Sequence, residues 1–399
     1  MGLFQRLCYL DRMNSVLVRY HEIALKKGNR PYFIDLLKRN LVSAVGGLPL
    51  TEAKTLQGRI LLSFGAEAPR EEIGRRLERV FGVANFSFVE RMPADIDEIE
   101  KRIVQALDGK QFASFRIDAR RADKDFPLTS PDINRKLGAA VKAKSGARVD
   151  LENAELTVSV EILPRTAFFG FDKIAGAGGL PVGASGRVVS LISGGFDSPV
   201  AAYRMMQRGC RLIFVHFHSA PYLDKTSQEK CRALVKLLTR HQFTSRLYLV
   251  AFGEIQRQIV AGVLRPLRVV LYRRMMLRIA EAIAKKEKAQ ALVTGESLAQ
   301  VASQTLENLA VIGKAATLPL LRPLVGMDKQ EIIDQARRIG TFETSATPDQ
   351  DCCQLFVPKH PATKAKLADV EVAEAKIDFL ALVQLGVEGA QVEEFKFPE

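Results

Sequence analysis

Arg-Val-Val-Ser-Leu-Ile-Ser-Gly-Gly-Phe-Asp-Ser-Pro-Val-Ala-Ala-Tyr, residues 187–203, decides how the chain is read. A β-branched apolar run ends in Ser193-Gly194-Gly195, and an Ala-rich amphipathic segment begins a few residues later. Strand, tight turn and helix N-terminus therefore follow one another. Such a turn receives anions: glycines let the backbone approach a ligand, and the free N–H groups and helix dipole favour negative charge. Ser193 and Ser198 add hydroxyls. Asp197 is the odd member, since a carboxylate beside a phosphate needs a cation between them, most simply Mg²⁺. The competing reading is a plain turn in which Asp197 or Ser198 caps the helix.

The hexapeptide at residues 193–198 resembles the PP-loop of ATP pyrophosphatases, which hold the pyrophosphate of ATP and transfer AMP to an acceptor oxygen. No Gly-x-x-x-x-Gly-Lys-[Ser/Thr] occurs, so a Walker-type loop is excluded.

Length and composition bound the rest. At 399 residues the chain needs two or three domains, and 47% apolar content argues for folded ones. No apolar run approaches a membrane span and the N-terminus lacks a signal-peptide core, so no membrane association and a cytoplasmic location are expected. Five cysteines, with no Cys-x-x-Cys, make neither a disulfide framework nor a zinc site. The formal charge of +13 points to a polyanionic partner. Its distribution is uneven: residues 116–148 hold nine basic against four acidic side chains, whereas residues 51–100 are net acidic.

Along the chain, residues 15–21 and 59–64 read as strands, and residues from Asn29 and over 70–80 as helices. The pattern is β-α-β-β-α-β, of ferredoxin type. A third helix is expected over 95–107, a strand over 113–118, then a loop containing Arg120, Arg121 and Lys124, a helix over 133–143 bearing Arg135 and Lys136, and an alternating strand over 155–163. The Arg-Arg-x-Asp-Lys-x-Phe-Pro-Leu-Thr-Ser loop and the strand after Val149-Asp150 resemble a THUMP domain. That resemblance implies that Arg120, Arg121, Lys124, Arg135 and Lys136 contact tRNA. Domains are expected at 1–75 (ferredoxin-like), 76–174 (THUMP) and 188–399, with a Gly-rich linker over 175–187.

The second half alternates strands with helices, which implies a doubly wound parallel sheet with its ligand beyond the carboxyl ends of the strands. The informative residues sit there: the turn at 193–198, His216 and His218 ending the next strand, and Gly295-Glu296-Ser297 after a later one. Arg273 and Arg274 lie on a long basic helix over 265–286, to meet phosphate, solvent or RNA. Asp328 and Glu331 form a capping box, which leaves Lys329 unexplained in a first turn where the dipole disfavours it. A bound anion nearby would account for it. Cys352 and Cys353 adjoin Lys359 and His360, neighbours that favour thiolate.

Together with Arg-Tyr-His-Glu at 19–22, Thr-Gly-Glu-Ser-Leu-Ala-Gln-Val-Ala-Ser-Gln-Thr at 294–305 and Cys-Cys-Gln-Leu-Phe at 352–356, these motifs resemble the tRNA 4-uridine sulfurtransferase (4-thiouridine synthetase) family along nearly the whole chain. The resemblance implies an α/β multidomain fold, ATP and Mg²⁺, a tRNA substrate thiolated at position eight, and commonly a homodimer. It carries ATP binding onto Leu191, Ile192, Ser193, Gly194, Gly195, Ser198, His216, Phe217, Arg273, Gly295 and Gln304. Essential roles fall on Asp197, Lys329 and the persulfide-bearing Cys353. The sequence shows no rhodanese domain before Glu399, so sulfur is expected from a cysteine desulfurase or another persulfide donor, and a thiamine role is in question. Whether Cys352, Cys210 or Cys231 resolves a disulfide with Cys353, and whether an iron–sulfur cluster serves, stay open. The alternative is a tRNA-binding nucleotide sensor without sulfur transfer.

Overall fold

Val16, Leu17 and Val18 are fully buried in the strand β1 (Ser15–Arg19), about which the N-terminal part of the chain assembles. The computed structural model describes residues 14–348, 356 and 360–399, and the chain divides into two units, Met1–Gly179 and Leu180–Glu399. In the first, β1 is followed by α1 (Arg30–Ala44), β2 (Leu50–Leu56), β3 (Arg59–Phe64), α2 (Arg70–Leu77) and β4 (Asn85–Pro93). The sheet order β2-β3-β1-β4, antiparallel throughout, is the expected ferredoxin-like arrangement.

The nine-residue β4 serves two ladders. Asn85 to Val89 pair with β1, and Glu90 to Pro93 pair with β8 (Thr166–Gly170). Between them in sequence come α3 (Ile96–Ala106), β5 (Ser114–Arg121), α4 (Ser130–Ser145), β6 (Arg148–Val149) and β7 (Leu156–Leu163). Ile99 and Ile103 of α3 and Ile133, Leu137 and Val141 of α4 pack on Phe115, Val158 and Val160 in one core. The carboxylate of Glu161 on β7, 5% exposed, accepts from Arg19 Nε at 2.6 Å and also pairs with Arg59, so a buried ion cluster binds the ferredoxin-like strands to the second ladder.

Two expectations shift here. β5 runs to Arg121, beyond residue 118, because its parallel pairing with β7 continues to Ile162; Arg120 and Arg121 therefore lie on a strand end. Helix α4 begins at Ser130 because Thr129 and Asp132 form a capping box and Pro131 fits the first turn. A short strand β9 (Ile174–Ala175) pairs with β4, and the division between units falls within the Gly-rich stretch that follows.

The second unit holds β10 (Arg187–Leu191), α5 (Asp197–Gln207), β11 (Arg211–His218), α6 (Thr226–Gln242), β12 (Thr244–Ala251), α7 (Gly253–Gly262), α8 (Arg268–Lys286), β13 (Ala291–Val293), α9 (Leu306–Gly313), β14 (Leu320–Leu321), α10 (Lys329–Ile339), α11 (Phe342–Ala346), α12 (Leu367–Glu374), α13 (Phe379–Glu388) and β15 (Gln391–Lys396). The sheet order is β14-β13-β10-β11-β12-β15. Five strands are parallel, as alternation predicts; β15 adds an antiparallel edge along β12 that the alternation did not reveal. From β10 the chain winds outward to β11 and β12, then returns to lay β13 on the other flank. A crevice opens at such a reversal, between the carboxyl ends of β10 and β13.

Candidate functional site: a self-closed turn over the sheet reversal

Gly194 and Gly195 make the turn between β10 and α5, and Ser198 closes it. The Ser193 N–H donates to Ser198 Oγ at 2.8 Å, while Ser198 Oγ donates back to the Ser193 carbonyl at 3.2 Å. With its hydroxyl so used, Ser198 shapes the loop. The N–H groups of Gly194, Gly195 and Phe196 have no acceptor among the described residues, and they precede a helix whose N-cap, Phe196, supplies no side-chain cap. Such free N–H groups at a helix start suit an anion, and Asp197 does not cap the helix.

Asp197 instead meets Lys329, with Nζ donating to Oδ1 at 2.8 Å. Lys329 opens α10 behind the capping box of Asp328 and Glu331, so the anion its position calls for is Asp197 itself in this state. Gln300, its amide oriented to donate to Asp197 Oδ2 and accept from Lys329 Nζ, each at 3.2 Å, completes a triangle. The Lys329 ammonium also lies 5.5 Å from the Phe196 ring centre, and Phe196 stacks on Phe342.

A cleft of about 140 Å³ lies beside the turn, lined by Leu191, Ile192, Ser193, Asp197, Ser198, His216, Phe217, Arg273, Gly295 and Gln304. The sequence had named all ten; Gly194 and Gly195 are absent from the lining. Thr294 and Met276, which the sequence reading did not name, complete the wall with Glu296, which it placed beyond a strand end without giving it a role. Glu296, 2% exposed, accepts from Arg322 Nε at 2.7 Å and Thr294 Oγ1 at 2.9 Å and faces Arg273 Nη1 at 3.6 Å. Gln304 sits in a 3-10 turn before α9, whose cap is Thr305.

His216 is 1% exposed, with Nδ1 at 3.0 Å from the Ile192 carbonyl and 3.2 Å from Cys231 Sγ, and so fixes the strand end beneath the cleft. His218 is held neutral: burial first, then His216 and Arg232, lower its pKa to about 4. Cys231 and Cys210 are buried, and burial raises the Cys210 pKa.

Arg274 faces neither solvent nor RNA. It is 3% exposed and forks onto Glu374 at 2.7 and 2.8 Å, joined by Arg278 at 2.6 and 2.9 Å. Burial alone would raise the Glu374 pKa, but the two guanidinium groups outweigh it and hold it at about 2. A depressed folded pKa contributes stability above the ordinary value of 4.5 that is lost as pH falls through about 2. Glu374→Gln is expected to cost about 3 kcal/mol at neutral pH, because Arg274 stays buried without its carboxylate. It should also flatten the acid dependence of the urea midpoint below pH 4.5.

Cys352 and Cys353 lie outside the described residues. The described residues nearest them in sequence make these contacts. Ser345 Oγ donates to the Gly195 carbonyl at 3.3 Å, Lys230 Nζ donates to the Thr347 carbonyl at 2.6 Å, and the Phe356 ring meets Tyr222 edge-on at 6.2 Å.

In the first unit the five basic candidates separate by partner. Arg121 Nη1 donates to the carbonyls of Lys124 and Phe126 at 3.1 and 2.7 Å and so shapes the loop. Lys136 pairs with Asp97 across α3 and α4. Arg120 and Arg135 are exposed beside Asp118 and Asp132, and Lys124 is exposed.

Ferredoxin-like and THUMP folds preceding a doubly wound sheet with a glycine turn at its reversal define a multidomain α/β protein of the PP-loop pyrophosphatase class. Family models match in the same order: a ThiI ferredoxin-like domain over residues 15–87, a THUMP domain over 93–172, and thiamine biosynthesis protein (ThiI) over 183–379. The chain is 49% identical over 382 residues to a "Probable tRNA sulfurtransferase" of Thermus thermophilus, covering 95% of this chain and 93% of that one. It is 46% identical over 379 residues to one of Moorella thermoacetica, covering 95% and 97%. A crystal structure of a 4-thiouridine synthetase–RNA complex with bound ATP superposes with a TM-score of 0.88 at 34% identity, covering 96% of this chain and 99% of that one. The chain belongs to the tRNA sulfurtransferase family, a family of transferases. No helix among the described residues is long and apolar enough to cross a membrane.

Proposed function

We propose that this chain uses ATP to convert uridine at position eight of tRNA to 4-thiouridine, taking sulfur from a persulfide on Cys353. The observation that carries the reading is the self-closed turn with three N–H groups free of described acceptors, set beside the Asp197–Lys329 pair at the sheet reversal. The turn and the α5 dipole suit the pyrophosphate of ATP, and Arg273 and Lys329 supply positive charge beside it. Apolar Leu191, Ile192, Phe217 and Met276 suit the adenine.

The donor set fits a magnesium ion. One partly exposed carboxylate, Asp197, beside a phosphate site is what Mg²⁺ uses when it keeps several waters, whereas Glu296 is committed to Arg322 and Thr294. Bound there, Mg²⁺ would neutralise phosphate charge, and Lys329 would be released from Asp197 towards the nucleotide. In this reading uracil O4 attacks the α-phosphorus and pyrophosphate leaves. The terminal persulfide sulfur then attacks C4 and AMP leaves, giving a C4–S–S–Cys353 adduct. A second thiolate attacks Cys353 Sγ, the S–S bond breaks to release 4-thiouridine, and the resulting disulfide is reduced by an external dithiol. A cysteine desulfurase or another persulfide protein supplies the sulfur, the exposed Arg120, Lys124 and Arg135 suit RNA phosphates, and a homodimer is the working assembly. A link to thiazole sulfur transfer would draw on the same persulfide.

Cys353→Ala tests the assignment. With unmodified tRNA, ATP, Mg²⁺ and a persulfide donor, the variant is expected to release AMP slowly or once while forming no 4-thiouridine. Thiolation at the parent rate would remove Cys353 from the mechanism. Absence of tRNA-dependent AMP release in the parent chain would favour a nucleotide sensor.

A further inference from the structure

At the end of the second-unit sheet where β10, β11 and β12 begin and β15 finishes, a cavity of about 340 Å³ opens. It lies at the amino ends of the parallel strands, so a five-residue strand, roughly 16 Å, separates it from the turn at 193–198. Arg187, Arg211, Arg246 and Lys396 line it, against Glu287 and Glu394.

Both carboxylates are already engaged. Arg246 donates to Glu287 at 3.1 and 3.2 Å and to Glu394 at 3.1 Å, and Tyr248 Oη donates to Glu287 at 2.5 Å. Arg187 and Arg211 are left facing neutral oxygens. They begin adjacent parallel strands in direct register, Arg187 donating to the Glu287 carbonyl at 3.4 Å and Arg211 to Thr244 Oγ1 at 3.1 Å. Neither they nor Lys396 has a carboxylate partner among the described residues. Arg211 is only partly exposed, and burial, with Arg187 beside it, lowers its pKa. Two like charges held together at the wall of a cavity repel each other, and the arrangement is relieved by an anion between them.

We infer that this cavity is a phosphate site, in which Arg187 and Arg211 grip one phosphate group, free in solution or carried on an RNA backbone. Planar guanidinium forks carried at register positions on adjacent strands and lining one cavity suit the oxygens of a tetrahedral phosphate, and Lys396 adds a point charge to the lining. The inference does not depend on the reaction proposed above, because binding alone reads it.

The test compares the full chain with its Arg187→Gln/Arg211→Gln variant. In the first arm, tRNA affinity is measured over a KCl series. A phosphate of the RNA backbone predicts about tenfold weaker binding by the variant and a salt slope shallower by about 1. In the second arm, a non-hydrolysable ATP analogue occupies the nucleotide cleft and inorganic phosphate is titrated. A site for free phosphate predicts that the parent melting temperature rises with phosphate and the variant's does not, with tRNA affinity unchanged. Equal behaviour of parent and variant in both arms overturns the inference. Arg187 is exposed, so Arg187→Gln alone repeats both arms without disturbing the half-buried Arg211.

Discussion

Asp197→Ala is expected to lower tRNA-dependent AMP release by about 10²- to 10³-fold, the loss typical of removing one preorganised charge at a reacting phosphorus. Its fold should survive. The carboxylate caps nothing, the turn is closed by Ser198, and the Lys329 ammonium left behind is 45% exposed and can hydrate. Unfolding free energy should therefore stay within about 0.5 kcal/mol of the parent, and tRNA binding should be unchanged. Quenched-flow measurement of AMP beside a urea titration separates the two effects. An unfolded or strongly destabilised variant would return Asp197 to a structural role.

Gly295→Ala should be nearly as damaging by a different route. Gly295 follows β13 and lies against the turn; an added Cβ would stand 2.7 Å from Ser198 N and 2.8 Å from Asp197 C and Ser198 Cα. Those are backbone atoms and cannot rotate aside, so the turn itself must move. Overpacking of this kind costs about 1–3 kcal/mol. The larger consequence falls on ATP, because a displacement of about 1 Å at a positioned group costs on the order of 10²-fold in rate. Calorimetric titration with ATP should show the loss directly, and ATP affinity equal to the parent's would show that the crevice between β10 and β13 is not the nucleotide site.

The turn at residues 193–198 was legible because its chemistry is local: glycines, hydroxyls and a carboxylate between an apolar run and an amphipathic one. The capping box of Asp328 and Glu331 was legible for the same reason, and it exposed Lys329 as a charge needing another explanation. What sequence could not supply was the partner. Lys329 meets Asp197 across 132 residues, through helices whose packing no periodicity encodes. Arg274 shows the opposite failure, since a basic residue on a basic helix reads as surface until Glu374 arrives from α12. Strand β2 escaped because it is an edge strand, intermediate or exposed at every position, and so carries no alternation. The extension of β5 through Arg120 and Arg121 escaped because strand pairing, not composition, sets where a strand stops.

Strand β4 belongs to both ladders of the first unit. It runs without interruption from one ladder into another, pairing with β1 over its first five residues and with β8 over its last four. To swing the ferredoxin-like portion against the THUMP portion, the protein would have to break backbone hydrogen bonds and pull Glu161 away from Arg19 and Arg59. The first unit is thus a gauge block of fixed length. Its two ladders are one continuous piece of sheet.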